Sequence, residues 1–509
     1  QCSDFGTNRL GFKSNNRTNF FKYTFDVSST AQFKLSEVIT SKTTGGAQYF
    51  RSTFQRNGAS SEDLPPGATT VTAGATPTAD ESTTFGVTAG FFGEQTFSLR
   101  DRLFLTGAFR ADNNSAFGTK ATVAVYPKAS LSWLISEESF FPKPRFLDQL
   151  RLRAAYGQSG TSPGANDALP FFIGTSVNVA DQANPAIVFS AVGNPNLKPE
   201  RATEVEGGVD VDMLDNRVTM ALTAYRKRTK DALVSRTLPP SAGISAARFE
   251  NLGAVRNSGF EASVRAQILQ TQRLGFDATL NYANNDNQLL SLGGVPPIGA
   301  ELRQVEGYPT FGVWSREILS FTDINGDGII SASEIVVADS IRFLGRSTPR
   351  VEVTFSPGVD LFDRLVRVTA NFNHKGGFLL KNSSERIRCQ TNNNCRGVND
   401  ITAPLAEQAR ATAVREHPSR TQAGYWDKGD FTKLREVAVT LSAPKSWSER
   451  RVLGVERLSL TLSGRNLKTW TRFTGIDPEM VAGAESEVQD PFQASPPPTY
   501  YSLRLNFGF

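Results

Sequence analysis

One short segment carries the oxygen ligands that a calcium ion requires. Residues 323–334 match the fixed positions of the EF-hand loop, where acidic, amide and glycine residues recur at set intervals. The predicted ligands are the side chains of Asp323, Asn325, Asp327 and Glu334, the backbone carbonyl of Ile329, and a water held at Ser331. Gly328 stands where the loop must turn sharply. We therefore predict a structural calcium site, with a dissociation constant of roughly 10⁻⁴–10⁻³ M.

The residues that flank this loop do not favour the helices of a true EF-hand. Segments 311–314 and 335–337 are rich in aromatic and β-branched residues, which favour strands. We expect residues 321–336 to form a calcium loop inserted between strands, where the ion would brace the segment rather than signal. The alternative is a pair of Asn-Gly and Asp-Gly turns with solvated acids.

Two cysteines are spaced for a small covalent ring. Cys389 and Cys395 bracket five polar residues, and an oxidising compartment would favour a disulfide between them. The alternative is a pair of free thiols. Cys2 is left without a predicted partner.

Composition excludes several classes of function. The histidines are His374 and His417, so a metal site or catalytic triad built on histidine is not expected. No paired-carboxylate arrangement emerges either, and we predict that the chain is not an enzyme. A net charge of +5 over 509 residues does not indicate nucleic-acid binding.

The C-terminal residues alternate between apolar and polar with a period of two. One face carries Tyr501, Leu503, Leu505, Phe507 and Phe509, and the other carries Ser502, Arg504, Asn506 and Gly508. A strand with one aromatic-rich face and one polar face suits a wall between lipid and water. We therefore interpret this segment as a membrane-spanning strand.

The same period recurs at 218–225, 274–283, 365–374 and 458–465. Mean hydropathy is −0.29, and no run reaches the roughly 18 apolar residues of a membrane helix. Spanning strands escape that test because half of their residues face a polar interior. The fold class predicted is all-β, a transmembrane antiparallel barrel to which this chain contributes roughly 14 to 18 strands. A soluble β-sandwich or propeller is the alternative.

Connections between the predicted strands are of two kinds. Residues 214–217 form a tight turn, whereas 57–86, 158–192, 286–345 and 378–425 are long and polar. Such a rhythm is typical of barrels with short periplasmic turns and long extracellular loops. Residues 404–416 have a helical composition after an initial proline. We see one domain, 1–509, that carries the calcium loop, 321–336, as an insertion in one of the long extracellular loops.

Several segments, in order, resemble the SusC/RagA family of TonB-dependent outer-membrane transporters. They are 110–118 (RADNNSAFG) followed by Tyr126-Pro127 and Ser132-Trp133, 150–157 (LRLRAAYG), 193–200 (GNPNLKPE), 225–231, 251–261, 306–309, 434–437, 466–471 and 475–479. Pro199 departs from the aromatic that is usual in the family. We interpret these motifs as structural, with Gly253 and Gly259 at turns or bulges where no side chain fits.

The resemblance implies a function for the whole protein. A member of this family is a barrel of about 22 strands with a plug inside, located in the outer membrane of a Gram-negative bacterium. It imports a large nutrient, an oligosaccharide or a peptide, with a SusD-like surface lipoprotein and energy from the TonB–ExbB–ExbD system. Outer-membrane lipid and lipopolysaccharide would surround it.

Nothing in the chain resembles the plug, and residue Gln1 follows neither an initiator methionine nor a leader. We expect the chain to be the C-terminal part of a barrel whose upstream strands lie elsewhere, because open strand edges are costly in lipid. The alternatives to active import are a passive pore or a surface-structural barrel and, less favoured, an outer-membrane enzyme.

Overall fold

The computed structural model describes residues 11–118, 123–179, 181–238, 241, 247–444, 446, 455–480, 492 and 495–508. Cys2 and Phe509 lie outside the described residues. The chain divides into two compact units. The first unit contains residues 1–131, 155–203 and 229–253, and the second contains residues 132–154, 204–228 and 254–509.

Strands dominate both units. The first twelve are β1 (Phe12–Ser36), β2 (Ile39–Glu62), β3 (Thr76–Leu99), β4 (Leu103–Asn114), β5 (Ala124–Leu134), β6 (Leu147–Thr161), β7 (Phe171–Val179), β8 (Gln182–Ala191), β9 (Glu200–Met213), β10 (Val218–Thr237), β11 (Ala247–Gln270) and β12 (Gly275–Ser291). The remainder are β13 (Leu302–Arg303), β14 (Gly312–Ser315), β15 (Ile318–Phe321), β16 (Ile335–Val337), β17 (Arg342–Gly345), β18 (Val351–Leu361), β19 (Val366–Gly376), β20 (Leu379–Lys381), β21 (Trp426–Lys428), β22 (Phe431–Ser442), β23 (Arg457–Thr471) and β24 (Tyr500–Gly508).

Within the described residues, the main sheet has 15 strands in the order β1-β2-β3-β4-β5-β6-β9-β10-β11-β12-β18-β19-β22-β23-β24. The order of these strands in the sheet is their order along the chain. The strands that are left out of this sheet lie inside the long connections. This count falls within the predicted range of roughly 14 to 18. The all-β prediction is confirmed.

The first unit is built on three long strands. β1, β2 and β3 have 25, 24 and 24 residues and pair antiparallel along nearly their whole lengths. That is more than twice the roughly 9–11 residues that cross a bilayer. Large apolar side chains such as Phe20 and Phe25 remain exposed on β1, at 61% and 66%. No dry core therefore covers this strand within the described part of the chain.

Register in the second unit confirms the predicted alternation. Across β23 and β24, Leu458 pairs with Phe507, Leu460 with Leu505 and Leu462 with Leu503. The polar residues between them pair with one another in the same way, including Thr461 with Arg504. Phe507 is 54% exposed. The apolar residues thus share one uncovered face and the polar residues share the other.

The tight turns match the prediction better than the long loops do. Residues 214–217 link β9 to β10 through three successive positive φ angles of about 57–60°. The predicted loop 57–86 was too long, because β2 continues to Glu62 and β3 begins at Thr76. Serine and threonine residues at these strand ends continue the pairing of β2 with β3, and the hydroxyl oxygens of Ser60 and Thr78 lie 2.8 Å apart. Likewise, 158–192 contains the β7–β8 hairpin, and β12 extends into 286–345.

Three helices lie in the connection between β20 and β21. They are α1 (Ser383–Gln390), α2 (Arg396–Asn399) and α3 (Leu405–Arg415). The third confirms the helix predicted at 404–416, with Pro404 at the N-cap. Among the described residues, none of the helices combines the length and the apolar character that crossing a bilayer requires.

Candidate functional site

The predicted calcium loop is closed by its own hydrogen bonds. Asp323 Oδ1 accepts from the backbone amides of Gly326 and Asp327 at 2.7 and 3.2 Å, and its Oδ2 accepts from Gly328 at 2.8 Å. Gly326 and Gly328 have φ angles of +74° and +78°, which side chains rarely adopt. Asn325 Nδ2 donates to Asp327 Oδ2 at 2.8 Å. The side chains at positions 1, 3 and 5 of the loop are therefore gathered on one turn.

Glu334 closes the other end of the loop. Its carboxylate accepts from the backbone amide of Ile324 at 2.8 Å and from the amide and hydroxyl of Ser331 at 2.9 and 2.8 Å. These bonds, chiefly that from the Ser331 backbone amide, lower the pKa of Glu334 to about 2. Ser331 serves as the N-cap of a short 3-10 helix. Ile329, the predicted carbonyl ligand, is 47% exposed.

The donor chemistry of this loop fits calcium, because carboxylate and amide oxygens are hard ligands. Its three carboxylates are not gathered tightly, however. Among the described residues, the trio of ligand atoms within 4.8 Å of one another belongs to Glu385, Cys389 and Cys395. Since both cysteines are in a disulfide, that trio does not offer thiolates to a metal.

Helix α3 packs directly on the predicted calcium loop, residues 323–334. The buried Gln408 accepts from the backbone amide of Ile330 at 3.0 Å and donates to the carbonyl of Gly328 at 2.9 Å. Ile330 and Ile335 pack against Ala409 and Ala413 of the helix. We call residues 311–345 together with 378–430 the loop layer. One amide side chain and a small apolar cluster fix the loop within this layer.

A disulfide joins Cys389 and Cys395, and both are buried at 1% exposure. They form a cluster with Ala411, Val414 and Tyr425, against which Val398 packs. The cross-link thus ties α1 and α2 to α3 and to the residues before β21.

Removing this disulfide will loosen the helices of the loop layer. For the Cys389→Ser, Cys395→Ser double variant we expect a loss of about 2 kcal/mol, because a short loop in the unfolded chain is no longer constrained. Limited proteolysis followed by mass spectrometry should show new cleavage between residues 390 and 400. Cleavage at the native rate would contradict this role.

A charged network fastens the last long connection to β22. Lys433 is 3% exposed, and its Nζ lies 2.8 Å from both Asp477 carboxylate oxygens and 3.0 Å from Glu479 Oε2. Arg435 donates to both oxygens of Glu479 at 2.5 and 2.6 Å. This network unites two of the motifs found in the sequence, 434–437 and 475–479. We call these four residues the β22 clasp.

The polar face of the second unit carries paired charges between neighbouring strands. Arg153 Nε lies 2.9 Å from Asp210 Oδ2 and Arg465 Nε lies 2.7 Å from Glu436 Oε2. Arg367 is held between Asp277 and Asp360 at 2.8 and 2.9 Å. These ion pairs place hydrogen-bonding groups of both charges on the polar face.

Sequence reasoning identified the loop, the cysteines and helix α3 but missed the contacts between them. Gln408 stands as a single amide among alanines on α3, and that polar interruption of a small-residue face was the available signal. The β22 clasp had no comparable signal, because Lys433 and Asp477 are 44 residues apart, as are Arg435 and Glu479.

Comparison with known proteins gives consistent matches. A model of the family described as TonB dependent receptor-like, beta-barrel matches residues 2–331. The chain is 26% identical over 437 residues to TonB-dependent receptor P26 of Formosa agariphila, which covers 77% of this chain and 42% of that protein. It is 29% identical over 210 residues to TonB-dependent receptor SusC of Bacteroides thetaiotaomicron, with 40% and 21% covered. The chain spans less than half the length of these curated relatives.

Among solved structures, the RagAB peptide transporter matches with a TM-score of 0.80 at 18% identity. The match covers 99% of this chain and 57% of that one. A likeness at this identity concerns the fold. This fold agrees with the uncovered apolar face of β23 and β24, and it excludes a soluble β-sandwich or propeller.

Proposed function

The chain belongs to the TonB-dependent receptor-like β-barrel family, and on that basis we propose that the protein actively imports a large polar nutrient. Members of this family lie in the outer membrane of Gram-negative bacteria, and so does this chain. The observation that carries the proposal is the family match over residues 2–331. We infer that import depends on the TonB–ExbB–ExbD system and on a SusD-like surface lipoprotein.

The structure supports this proposal through its two faces. Exposed aromatic and aliphatic residues on strands such as β24 suit contact with lipid. Paired arginines and acids on the opposite face suit contact with water and polar solutes. The solute we propose is an oligosaccharide or a peptide. SusC is a relative in sequence, and the RagAB peptide transporter is similar in fold.

Uptake by cells that express the intact gene tests the proposal. We expect entry of the cognate labelled oligosaccharide or peptide to fall at least tenfold when TonB is deleted or a protonophore collapses the proton gradient. Co-purification should also recover a surface lipoprotein. Uptake that persists unchanged after both treatments would instead favour the passive pore. A constitutively open conductance in planar bilayers would favour it too.

We also propose that the loop 323–334 binds calcium as a structural ion, through Asp323, Asn325, Asp327 and Glu334 with the Ile329 carbonyl and a water at Ser331. The gathered oxygens of the first turn support this. Calcium at about ten times its dissociation constant should stabilise the native state by about 1.4 kcal/mol.

Calorimetry of the purified protein with calcium or chelator measures this effect. The Asp323→Asn, Asp327→Asn double variant should lose the calcium-dependent rise in melting temperature, whereas Asp363→Asn, in the turn after β18, should keep it. If saturating calcium does not change the melting temperature of the native protein, the loop does not bind calcium as a structural ion.

A further inference from the structure

The long strands of the first unit have a defined outer end. A short turn, 37–38, joins β1 to β2, whereas the longer connection 63–75 joins β2 to β3. Short turns are typical of the periplasmic end of a barrel, and long connections are typical of the extracellular end. Phe12 of β1 pairs with Glu62, where the long connection begins. This end of β1 and β2 is therefore the extracellular end.

One face of β1 is mainly apolar over a length that matches a bilayer. It carries Phe21, Tyr23, Phe25, Val27, Ser29, Ala31, Phe33 and Leu35. Tyr49 of β2 continues this face, because it pairs with Phe25. At a tilt of about 45°, the residues from Phe21 to Leu35 span roughly 33 Å, close to the roughly 30 Å of the hydrocarbon core. We call these eight residues of β1 the apolar band, and they suit contact with acyl chains.

The same face becomes basic on the extracellular side of the apolar band. Its next residues along β1 are Asn19, Arg17, Asn15 and Lys13. Arg51 of β2 pairs with Tyr23 and so lies at the edge of the band. Lys13, Arg17 and Arg51 are exposed. We call these three residues the basic patch.

The charge of the basic patch is not neutralised within the described part of the chain. None of its three side chains forms an ion pair or a hydrogen bond with a described residue. One acid of β3, Glu81, shares this face, where it pairs with Asn57 of β2. Asp80 lies on the opposite face and forms an ion pair there with Arg56 at 3.6 Å. The basic patch therefore keeps a net positive charge beside an apolar surface.

We propose that Lys13, Arg17 and Arg51 bind phosphate groups of lipopolysaccharide in the outer leaflet. The apolar band contacts its acyl chains, and the two arginines match phosphate oxygens with parallel hydrogen bonds. Arg17 lies roughly 14 Å farther out than Tyr23, at the edge of the band. Lipopolysaccharide carries anionic groups at both depths, on lipid A and on its inner-core sugars, whereas a phospholipid carries one phosphate. The inference goes beyond import and depends on the outer-membrane location of the family.

Lipid binding to the intact purified protein in detergent tests the inference. The probes are rough lipopolysaccharide, the same lipopolysaccharide after removal of its phosphates with hydrofluoric acid, and phosphatidylglycerol. Native mass spectrometry counts the bound lipids and gives their dissociation constants. We expect rough lipopolysaccharide to bind at least tenfold more tightly than either of the other lipids, because each of those lacks charge-assisted hydrogen bonds that its phosphates make.

Variants then locate the site. Arg17→Gln with Arg51→Gln should weaken the binding of rough lipopolysaccharide at least tenfold. Lys34→Gln with Lys42→Gln is the matched control, because it removes the same charge from the same two strands. Both lysines are exposed and lie on the opposite face, near the short turn. The affinity of the control should stay within twofold of the native value, and both double variants should keep the native melting temperature because the substituted residues are exposed.

Four results would each overturn the inference. They are equal binding of rough and dephosphorylated lipopolysaccharide, equally tight binding of phosphatidylglycerol, native affinity in the double arginine variant, and an equal loss of affinity in both double variants. The last of these would assign the binding to net charge alone. Each result leaves active import unaffected, because the basic patch lies on the face that contacts lipid.

Discussion

Replacing Lys433 with methionine should destabilise the protein by about 3–5 kcal/mol. The substitution leaves Asp477, which is 9% exposed, as a buried acid without its lysine, whereas Glu479 keeps its pair with Arg435. Breaking a buried pair by removing one partner is costly because an uncompensated charge remains in a poorly solvated place. Denaturant unfolding of protein refolded in detergent measures the loss.

Lys128→Met provides the matched control for this substitution. Lys128 is 54% exposed and lies 3.7 Å from Glu94, so its loss should cost about 0–1 kcal/mol. If the two variants lose the same stability, the β22 clasp does not hold the connection. A double variant that also carries Asp477→Asn should recover part of the loss, because Asp477 is then uncharged and Glu479 keeps its pair with Arg435.

The clasp also predicts a dependence on pH. Burial raises the pKa of Glu479, but hydrogen bonds from Arg435 and Lys433 outweigh burial and lower the pKa below its ordinary 4.5. A carboxyl with a lowered pKa stabilises the native state above its unfolded pKa and loses that effect as the pH falls. The difference in stability between the native protein and Lys433→Met should therefore narrow below about pH 4.5.

Gly259→Ala should be the second strongly disruptive substitution, with a loss of about 3 kcal/mol. A Cβ at this position would lie 2.1 Å from the backbone oxygen of Asn284 and 2.6 Å from the Tyr225 hydroxyl. Since backbone cannot rotate away, β11 would have to shift against β12, and such overpacking is destabilising. Thermal unfolding in detergent should report a clearly lower midpoint.

Gly207→Ala in β9 is the control, because a Cβ at that position would have no heavy atom within 4 Å beyond its own chain neighbours. Alanine there should be neutral or stabilising by about 0.5–1 kcal/mol, since glycine loses more conformational freedom on folding. A loss of stability at Gly259 together with no loss at Gly207 would identify the close approach of β12 to Gly259 as the cause of the loss. The replacement of a strand glycine as such would then not be the cause. Similar losses at both positions would contradict that explanation.

Gly259 shows how far the motif at 251–261 could be interpreted from the sequence. We predicted that no side chain fits at Gly259, and this is confirmed. We also expected a turn or bulge, which was wrong at this position, because Gly259 lies within β11 opposite Asn285. Crowding comes from the neighbouring strand, and a sequence does not display which strand that is. Gly253 does lie beside a register shift at Ala254 and Val255.

The sequence by itself determined the properties that depend on local spacing. A period of two specified the two faces of β23 and β24, because successive side chains of a strand point to opposite sides. Local spacing also marked the loop 323–334, the ring between Cys389 and Cys395, and helix α3. Each of these depends on residues within about a dozen positions of one another.

Only the tertiary structure decided which distant groups meet. Gln408 contacts a loop that lies about 80 residues earlier, Lys433 contacts Asp477, 44 residues later, and Arg410 lies over the ring of Tyr425 from another segment. Partner choice across such distances depends on how strands register and how connections pack. The same sequence pattern allows many pairings of an arginine or lysine with an acid. The packing of the folded chain selects one of these pairings.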